Sequence, residues 1–337
     1  MTASSRQSLS SFRAEREGDW LAFEALLDRV EKRSPKALTD EELLDLPILY
    51  RSTLSSLSVA RATSLDASLV AYLEALALRG YLYVYGVRES LGKRIGRFFL
   101  VDWPAAVRNL WRETLINLAL LAIGAIAGYR LVAAEPSWFN AIIPAELAAG
   151  RGPEASAAAL RAVIYGDGGN NFLSGFATLL FTHNAQVSLL AFALGFAFCV
   201  PTVLLVLMNG CLLGAMLQVY VAKGLGVGMG GWLAIHGTTE LFAIVLAGAA
   251  GMRIGTAVAF PGDRDRLTAA ARAGRTAATA MVGVVIMLLA AGLLEGFGRQ
   301  LIQLDAARYA IGGAMLALWL LYFYLIRLSS DVARRAS

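Results

Sequence analysis

The protein is a chain of 337 residues, 57% of them hydrophobic, with a mean hydropathy of +0.59 and a formal net charge of +5. This composition excludes an ordinary soluble globule and predicts several apolar windows long enough to cross a bilayer. The basic residues are spread over the N-terminal region and short loops, so the charge indicates no nucleic-acid partner. The two cysteines, Cys199 and Cys211, lie in apolar runs and predict neither a disulfide framework nor a metal pair.

The N-terminal region, residues 1–110, combines charged residues with apolar residues at helical spacing. A first amphipathic helix is indicated by Trp20, Phe23, Leu26, Leu27 and Val30. Thr39 can cap a second helix whose first turn is acidic, and a third is predicted from about Asp66 to Tyr85. The region is therefore predicted to be a small cytoplasmic helical domain, and its polar first twenty residues predict no signal peptide.

The remainder, 111–330, is predicted to be a transmembrane helical domain. Its spans are expected at about 112–132, 185–200, 202–222, 233–258, 276–297 and 309–328.

The topology depends on the stretch 185–222, which has no charged residue. It could be one over-long helix or a hairpin that turns near Pro201. The Arg-rich segment 261–275 and the basic C-terminal tail should both be cytoplasmic by the positive-inside rule. The hairpin places both there together with the basic N-terminal domain, which gives six spans with both termini cytoplasmic. The loop 133–184 is then extracytoplasmic, and its apolar piece 172–182 suits an interfacial or re-entrant helix.

The candidate functional residues are polar side chains inside these apolar runs. His236 and Glu240 are i and i+4 on one predicted helix, where an ionisable group costs roughly 2.5–3.5 kcal/mol. Asn184 opens one apolar run and Asn209 lies inside the next, so the four side chains could meet in the bundle. Gly237 and Glu295 are further contributors, the latter because its span returns to the same half of the membrane.

Several interpretations of this cluster remain open. One interpretation is that the polar groups pair with one another or with backbone groups, as buried polar residues must. A proton or ion relay would use the imidazole, and a metal or hydrolase site is a third alternative. The spacing His236-x-x-x-Glu240 lacks the second histidine of a zinc protease motif, and the chain has two histidines in all. No metal and no cofactor is therefore predicted.

Two small-residue motifs, Gly210–Gly214 and Gly251–Gly255, have GxxxG spacing. Such pairs let helix backbones approach closely. They predict helix packing, within the chain or in a homodimer.

The chain resembles the stage II sporulation protein M family of integral membrane proteins. The resemblance is strongest at Leu49-Tyr50-Arg51, Ala60-Arg61, Tyr72-Leu73-Glu74, Asn184 with Gly195, Asn209-Gly210 with Gly214, and His236-Gly237-Thr238-Thr239-Glu240. It extends from about residue 15 to 328. It implies an α-helical protein of the bacterial inner membrane; the sporulation member works as a scaffold in a membrane complex with peptidoglycan-degrading partners. The long N-terminal segment looks like the family's broader bacterial branch.

Two classes of function follow. The favoured one is a non-enzymatic scaffold or regulator that binds membrane or cell-envelope proteins. The alternative is a transporter or channel with Asn209, His236, Glu240 and Glu295 on its polar path, and an intramembrane hydrolase is third.

Overall fold

A computed structural model describes residues 3–33, 38–62, 66–85, 91–166, 172–295 and 302–325. These residues are mostly helical and include no β-strand, so the predicted all-α class is confirmed. The chain divides into two compact units, 1–90 and 91–337. The last residues of the predicted spans 276–297 and 309–328, and the C-terminal tail, lie outside the described ranges.

The first unit is helical, as predicted, with α1 (Ala3–Arg33), α2 (Asp40–Ala62) and α3 (Ala67–Val84). Helix α2 begins with a capping box, in which the Glu42 N–H donates to Thr39 Oγ1 (3.3 Å) and the Thr39 N–H to Glu42 Oε2 (3.0 Å). Helix α3 begins after Asp66, whose carboxylate accepts the Ser68 N–H. The apolar faces of the three helices meet in one core, which includes Trp20, Phe23, Leu27, Tyr50, Leu57, Leu73 and Leu76.

Two side chains of α3, Tyr72 and Arg79, make polar contacts with α1. The Tyr72 hydroxyl donates to Glu24 (2.9 Å), and Arg79 donates to Asp28 (2.6 Å) and Glu31 (2.9 Å). Burial, reinforced by the hydrogen bond to Glu24, raises the pKa of Tyr72 to about 12. The neutral phenol is therefore the form that the fold favours.

The second unit begins with α4 (Leu91–Arg97), a π-helical turn at Phe98–Asp102 and α5 (Trp103–Asn109). Trp103 and Val107 are buried in one cluster with Val284 and Phe323. Residues 91–110 thus pack with the apolar helices that follow. Because of this packing, the two units divide at residue 90 and not at residue 110, the predicted domain boundary.

Five helices of this unit are long and apolar enough to cross a membrane, in agreement with the predicted number of about six. They are α6 (Trp111–Ala134), α11 (Val200–Ala222), α12 (Gly226–Ala259), α13 (Arg266–Leu293), and α14 (Asp305–Leu320) with its π-helical continuation Leu321–Leu325. The protein is thus a multi-pass membrane protein. Between α6 and α11 lie α7 (Trp138–Ile142), α8 (Ala145–Ala148), α9 (Ala157–Tyr165) and α10 (Phe172–Ala193).

The charge-free stretch 185–222 is divided between α10 and α11, which contact each other. A 3₁₀ turn at Leu194–Phe196 and a left-handed Cys199 (φ 66°) separate them, and the Thr202 hydroxyl donates to the Ala191 carbonyl (2.7 Å). Helix α10 starts at Phe172, so the predicted interfacial piece 172–182 and the start of the predicted span 185–200 belong to one helix.

Both GxxxG pairs, Gly210–Gly214 and Gly251–Gly255, pack against neighbouring helices of the same chain. A Cβ added at Gly214 would overlap the Ala125 carbonyl on α6, and one added at Gly251 would overlap the Ala191 carbonyl on α10. The glycines therefore allow α11 to lie directly on α6 and α12 on α10.

Helix α12 is the centre of the unit, since it contacts α6, α10, α11, α13 and α14. Near its C-terminal end Arg253 forms a two-point ion pair with Glu113 of α6 (2.6 and 3.0 Å) and also donates to the Asn109 carbonyl. Toward its N-terminal end, Thr239 accepts a hydrogen bond from the Trp319 indole of α14 (3.1 Å). Both contacts fix the rotation of α12 about its axis and so fix which side chains face the candidate site.

Candidate functional site

A cavity of about 80 Å³ lies among α10, α11 and α12. Its polar lining consists of Arg151, His183, Asn184, Asn209, His236 and Glu240. Its apolar lining consists of Leu147, Leu212, Leu213, Met216, Met229, Trp232, Leu233 and Leu241. A water molecule needs roughly 10–15 Å³ of such space and several polar partners, so the cavity can hold a few waters or one small polar ligand.

Glu240 is the acid of the cavity and is only 4% exposed. It accepts a hydrogen bond from the Asn184 side-chain amide, which belongs to α10. A carboxylate buried in an apolar surrounding needs such donors, because desolvation penalises its charged form. The Asn184–Glu240 hydrogen bond thus joins α10 to α12 at the cavity wall.

His236 lies one helical turn before Glu240 and is 2% exposed. Its ring meets the Trp232 ring edge-on, with centroids 5.3 Å apart and planes at 89°. Trp232 in turn packs in the cluster that includes Phe139, Leu147 and Leu160 of the 133–184 segment. The histidine therefore lies where the membrane helices meet that segment.

Asn209 approaches the cavity from α11 and is 7% exposed. The next residue, Gly210, lies so close to α6 that an added Cβ would overlap the Leu121 carbonyl. The close α6–α11 contact therefore fixes the position of Asn209 in the cavity wall.

Arg151 is a lining residue that the sequence reasoning did not identify. It is 5% exposed, and its guanidinium donates to the Ala148 carbonyl (3.1 Å) and the Leu147 carbonyl (2.5 Å), beside the Tyr220 hydroxyl. These bonds hold a cation at the end of α8. The only sequence signal was its position between Gly150 and Gly152 in a segment rich in alanine and glycine.

The two further contributors lie away from the cavity wall. A Cβ added at Gly237 would meet the Leu233 side chain at 3.0 Å, and Glu295 is 2% exposed near the end of α13. Neither is among the described residues that line the cavity. His183 also lines the cavity, although the sequence reasoning did not select it as a candidate.

The chemistry available here is one carboxyl group, two imidazoles, two amides and a guanidinium around a small volume. Within the described ranges, no three His, Cys, Asp or Glu side chains are grouped so that they could hold a metal ion. The set can bind water, a proton or a small polar ligand, and it can equally join helices by hydrogen bonds.

These features define a helical multi-pass membrane protein with a small cavity among its helices, lined by apolar residues and by six polar ones. Residues 117–298 match the family model of Stage II sporulation protein M, and because the match covers more than half of the chain, the protein belongs to that family. Residues 10–86 match a model described as a domain of unknown function (DUF8413). The comparisons with curated proteins and with solved structures give no match. All the lining residues of the cavity fall within the Stage II sporulation protein M match.

Proposed function

We propose that this protein is a non-enzymatic scaffold or regulator of a membrane or cell-envelope complex, located in the bacterial inner membrane with its N-terminal unit in the cytoplasm. The observation that carries the proposal is an exposed apolar face on α3, formed by Leu78, Tyr81, Leu82 and Tyr85, which we call the α3 stripe. Family membership supports the same role, since it places the chain in a family of membrane proteins.

The α3 stripe consists of large side chains that are 53–64% exposed. Their spacing of three, four and seven residues places them on one side of the helix. The opposite side of α3, which includes Leu73 and Leu76, is already buried in the core of the first unit. A contiguous apolar face that the fold does not use marks an interaction surface, and an apolar helix of a partner protein would complete it.

The cavity has a structural part in this proposal. The Asn184–Glu240 hydrogen bond and the Thr239–Trp319 hydrogen bond hold α10 and α14 on α12. A bundle fixed in this way gives the partner-binding unit a stable membrane anchor.

Site-specific photocrosslinking in the native membrane tests the scaffold proposal. A photoreactive residue at Leu82 is expected to give a defined protein adduct, whereas the same residue at Val59, which is 41% exposed on α2, should give none. The double substitution Leu78→Gln with Leu82→Gln should abolish the adduct of a probe placed at Tyr85 while α-helical content is kept. Adducts with lipid alone, or equal adducts at both positions, would contradict the proposal.

A second candidate, a transporter or channel, is favoured by the cavity itself. A carboxyl group, two imidazoles and two amides around a space that can hold a few waters are the kind of set that carries protons or small ions inside membranes. In proteoliposomes with an internal pH dye, Glu240→Gln should then abolish ion-driven proton movement, whereas Glu295→Gln, a buried acid outside the cavity, should keep it. If the wild-type chain moves no protons or ions, this candidate fails and the scaffold proposal stands unchanged.

A further inference from the structure

A second pocket, of about 260 Å³, lies where α12 ends and α13 begins. Three arginines line it: Arg253 near the end of α12, Arg264 in the connecting loop and Arg272 in the second turn of α13. Its other walls are formed by Ala257, Phe260, Pro261, Ala269, Ala273 and Thr276. The pocket shares no lining residue with the first cavity.

The three arginines of this pocket differ in whether an acidic side chain neutralises them. Arg253 is neutralised by its ion pair with Glu113. Arg264 and Arg272 are exposed and make no side-chain hydrogen bond or ion pair with another described residue. The connecting loop also contains two acids, Asp263, which is exposed, and Asp265, which caps α13 by accepting the Thr268 N–H (2.9 Å). Hydrogen bonds from Thr268 hold the pKa of Asp265 below its ordinary value, so this carboxylate serves as the N-cap of α13.

Two of the most exposed apolar side chains of the protein flank the arginines. Phe260 is 83% exposed at the end of α12, and Leu267 is 81% exposed in the first turn of α13. Both helices are candidate membrane spans, so this loop joins them at a bilayer surface. There, exposed apolar side chains reach into the acyl region while neighbouring guanidinium groups lie at headgroup depth.

We propose that the pocket formed by Arg253, Arg264 and Arg272 binds the phosphate headgroup of an anionic phospholipid, with Phe260 and Leu267 contacting its acyl chains. A guanidinium group can donate two parallel hydrogen bonds to the oxygens of one phosphate. Basic pockets between membrane helices are therefore suited to anionic lipid headgroups. A free phosphate ion would use the same arginines but would leave the two exposed apolar side chains without a role. This inference does not depend on the scaffold proposal.

The test is native mass spectrometry of the delipidated full-length chain, titrated with phosphatidylglycerol or with phosphatidylcholine. The wild-type chain is expected to bind phosphatidylglycerol several-fold more tightly. Arg264→Gln with Arg272→Gln should weaken phosphatidylglycerol binding by about fivefold for each arginine removed and leave phosphatidylcholine binding unchanged. The matched control is Arg266→Gln with Arg275→Gln, which removes the same charge from the same segment but does not touch the pocket lining.

A second arm separates the lipid from free phosphate. Phe260→Ser with Leu267→Ser should weaken phosphatidylglycerol binding but leave the affinity for inorganic phosphate unchanged. The proposal is overturned if the control variant loses as much phosphatidylglycerol affinity as the pocket variant, if the wild type shows no preference for the anionic lipid, or if inorganic phosphate binds as tightly as phosphatidylglycerol.

Discussion

At the scale of single residues, the candidate site depends on how the buried carboxyl group of Glu240 is satisfied. The spacing of His236 and Glu240 suggested a pair within one helix, but the hydrogen bond that reaches Glu240 comes from Asn184 on another helix. Removing this donor would leave a buried acceptor without a hydrogen bond in an apolar surrounding. This costs more free energy than the hydrogen bond itself contributes.

We therefore expect Asn184→Leu to destabilise the membrane domain by about 1–3 kcal/mol. The matched control is Gln186→Leu, an exposed position on the same helix, which should change stability by no more than about 0.5 kcal/mol. Reversible unfolding in mixed micelles measures both. Equal stability of the two variants would show that the Asn184–Glu240 hydrogen bond contributes nothing.

Tyr72 gives the first unit a pH dependence in the alkaline range. Its pKa is raised from the ordinary 10.0 to about 12, so the stability due to this shift is complete below pH 10 and is lost as the pH rises through 12. Tyr72→Phe cannot titrate and should show a smaller loss of thermal stability between about pH 9 and pH 12 than the wild type. Tyr81→Phe, at an exposed tyrosine of the same helix, should behave as the wild type does, and circular dichroism of the full chain measures all three.

The residues of the cavity were only partly accessible to sequence reasoning. His236, Glu240, Asn209 and Asn184 stand out as polar residues inside apolar runs, and the structure places all four around one cavity. Arg151 does not stand out, because it comes from a connecting segment whose position over the bundle depends on tertiary packing. The specific pairing of Asn184 with Glu240 could not be predicted for the same reason, because the rotation of α10 against α12 depends on tertiary packing.

At the scale of helices, glycine positions decide which pairs of helices can touch. Gly214→Ala would push a methyl group into the backbone of α6 and should destabilise the chain by about 1–3 kcal/mol. Gly274→Ala, in α13, meets no atom within 4 Å and should be neutral or stabilising by up to about 1 kcal/mol through helix propensity. Unfolding in detergent distinguishes them, and a neutral Gly214→Ala would mean that α6 and α11 are not in close contact.

Helix type and approximate extent followed from hydrophobic periodicity, whereas helix ends did not. The polar run Thr182-His183-Asn184 interrupts the apolar pattern and suggested a boundary between 172–182 and the next span. The structure continues the helix through it, and His183 and Asn184 line the cavity beside α12. Polar residues that face such a cavity can lie within a helix, so the local pattern alone does not mark the helix boundary.

At the scale of the whole molecule, orientation in the membrane stays a prediction from loop charge. We expect the 261–275 segment to be cytoplasmic and the 133–184 segment to be extracytoplasmic. In a variant whose native cysteines are replaced, a cysteine at Thr268 should be labelled by an impermeant reagent only after the membrane is opened. A cysteine at Ala158, which is exposed, should be labelled in intact cells, and the reverse pattern would overturn the topology.

The packing of both GxxxG pairs within one chain also bears on assembly. Their glycine faces are occupied by α6 and α10, so a homodimer would have to form through other surfaces.

The central position of α12 has a consequence for how the protein is made. In its most apolar window 61% of the residues are buried inside the bundle, against 22–44% in the other four candidate spans. During synthesis α12 leaves the ribosome before α13 and α14, so the side that those helices will cover, including Thr239, first faces lipid or an insertion chaperone. The last fifth of the chain therefore completes the interior of a helix already in the bilayer, and a nascent chain stalled before α14 would leave Thr239 without its Trp319 partner.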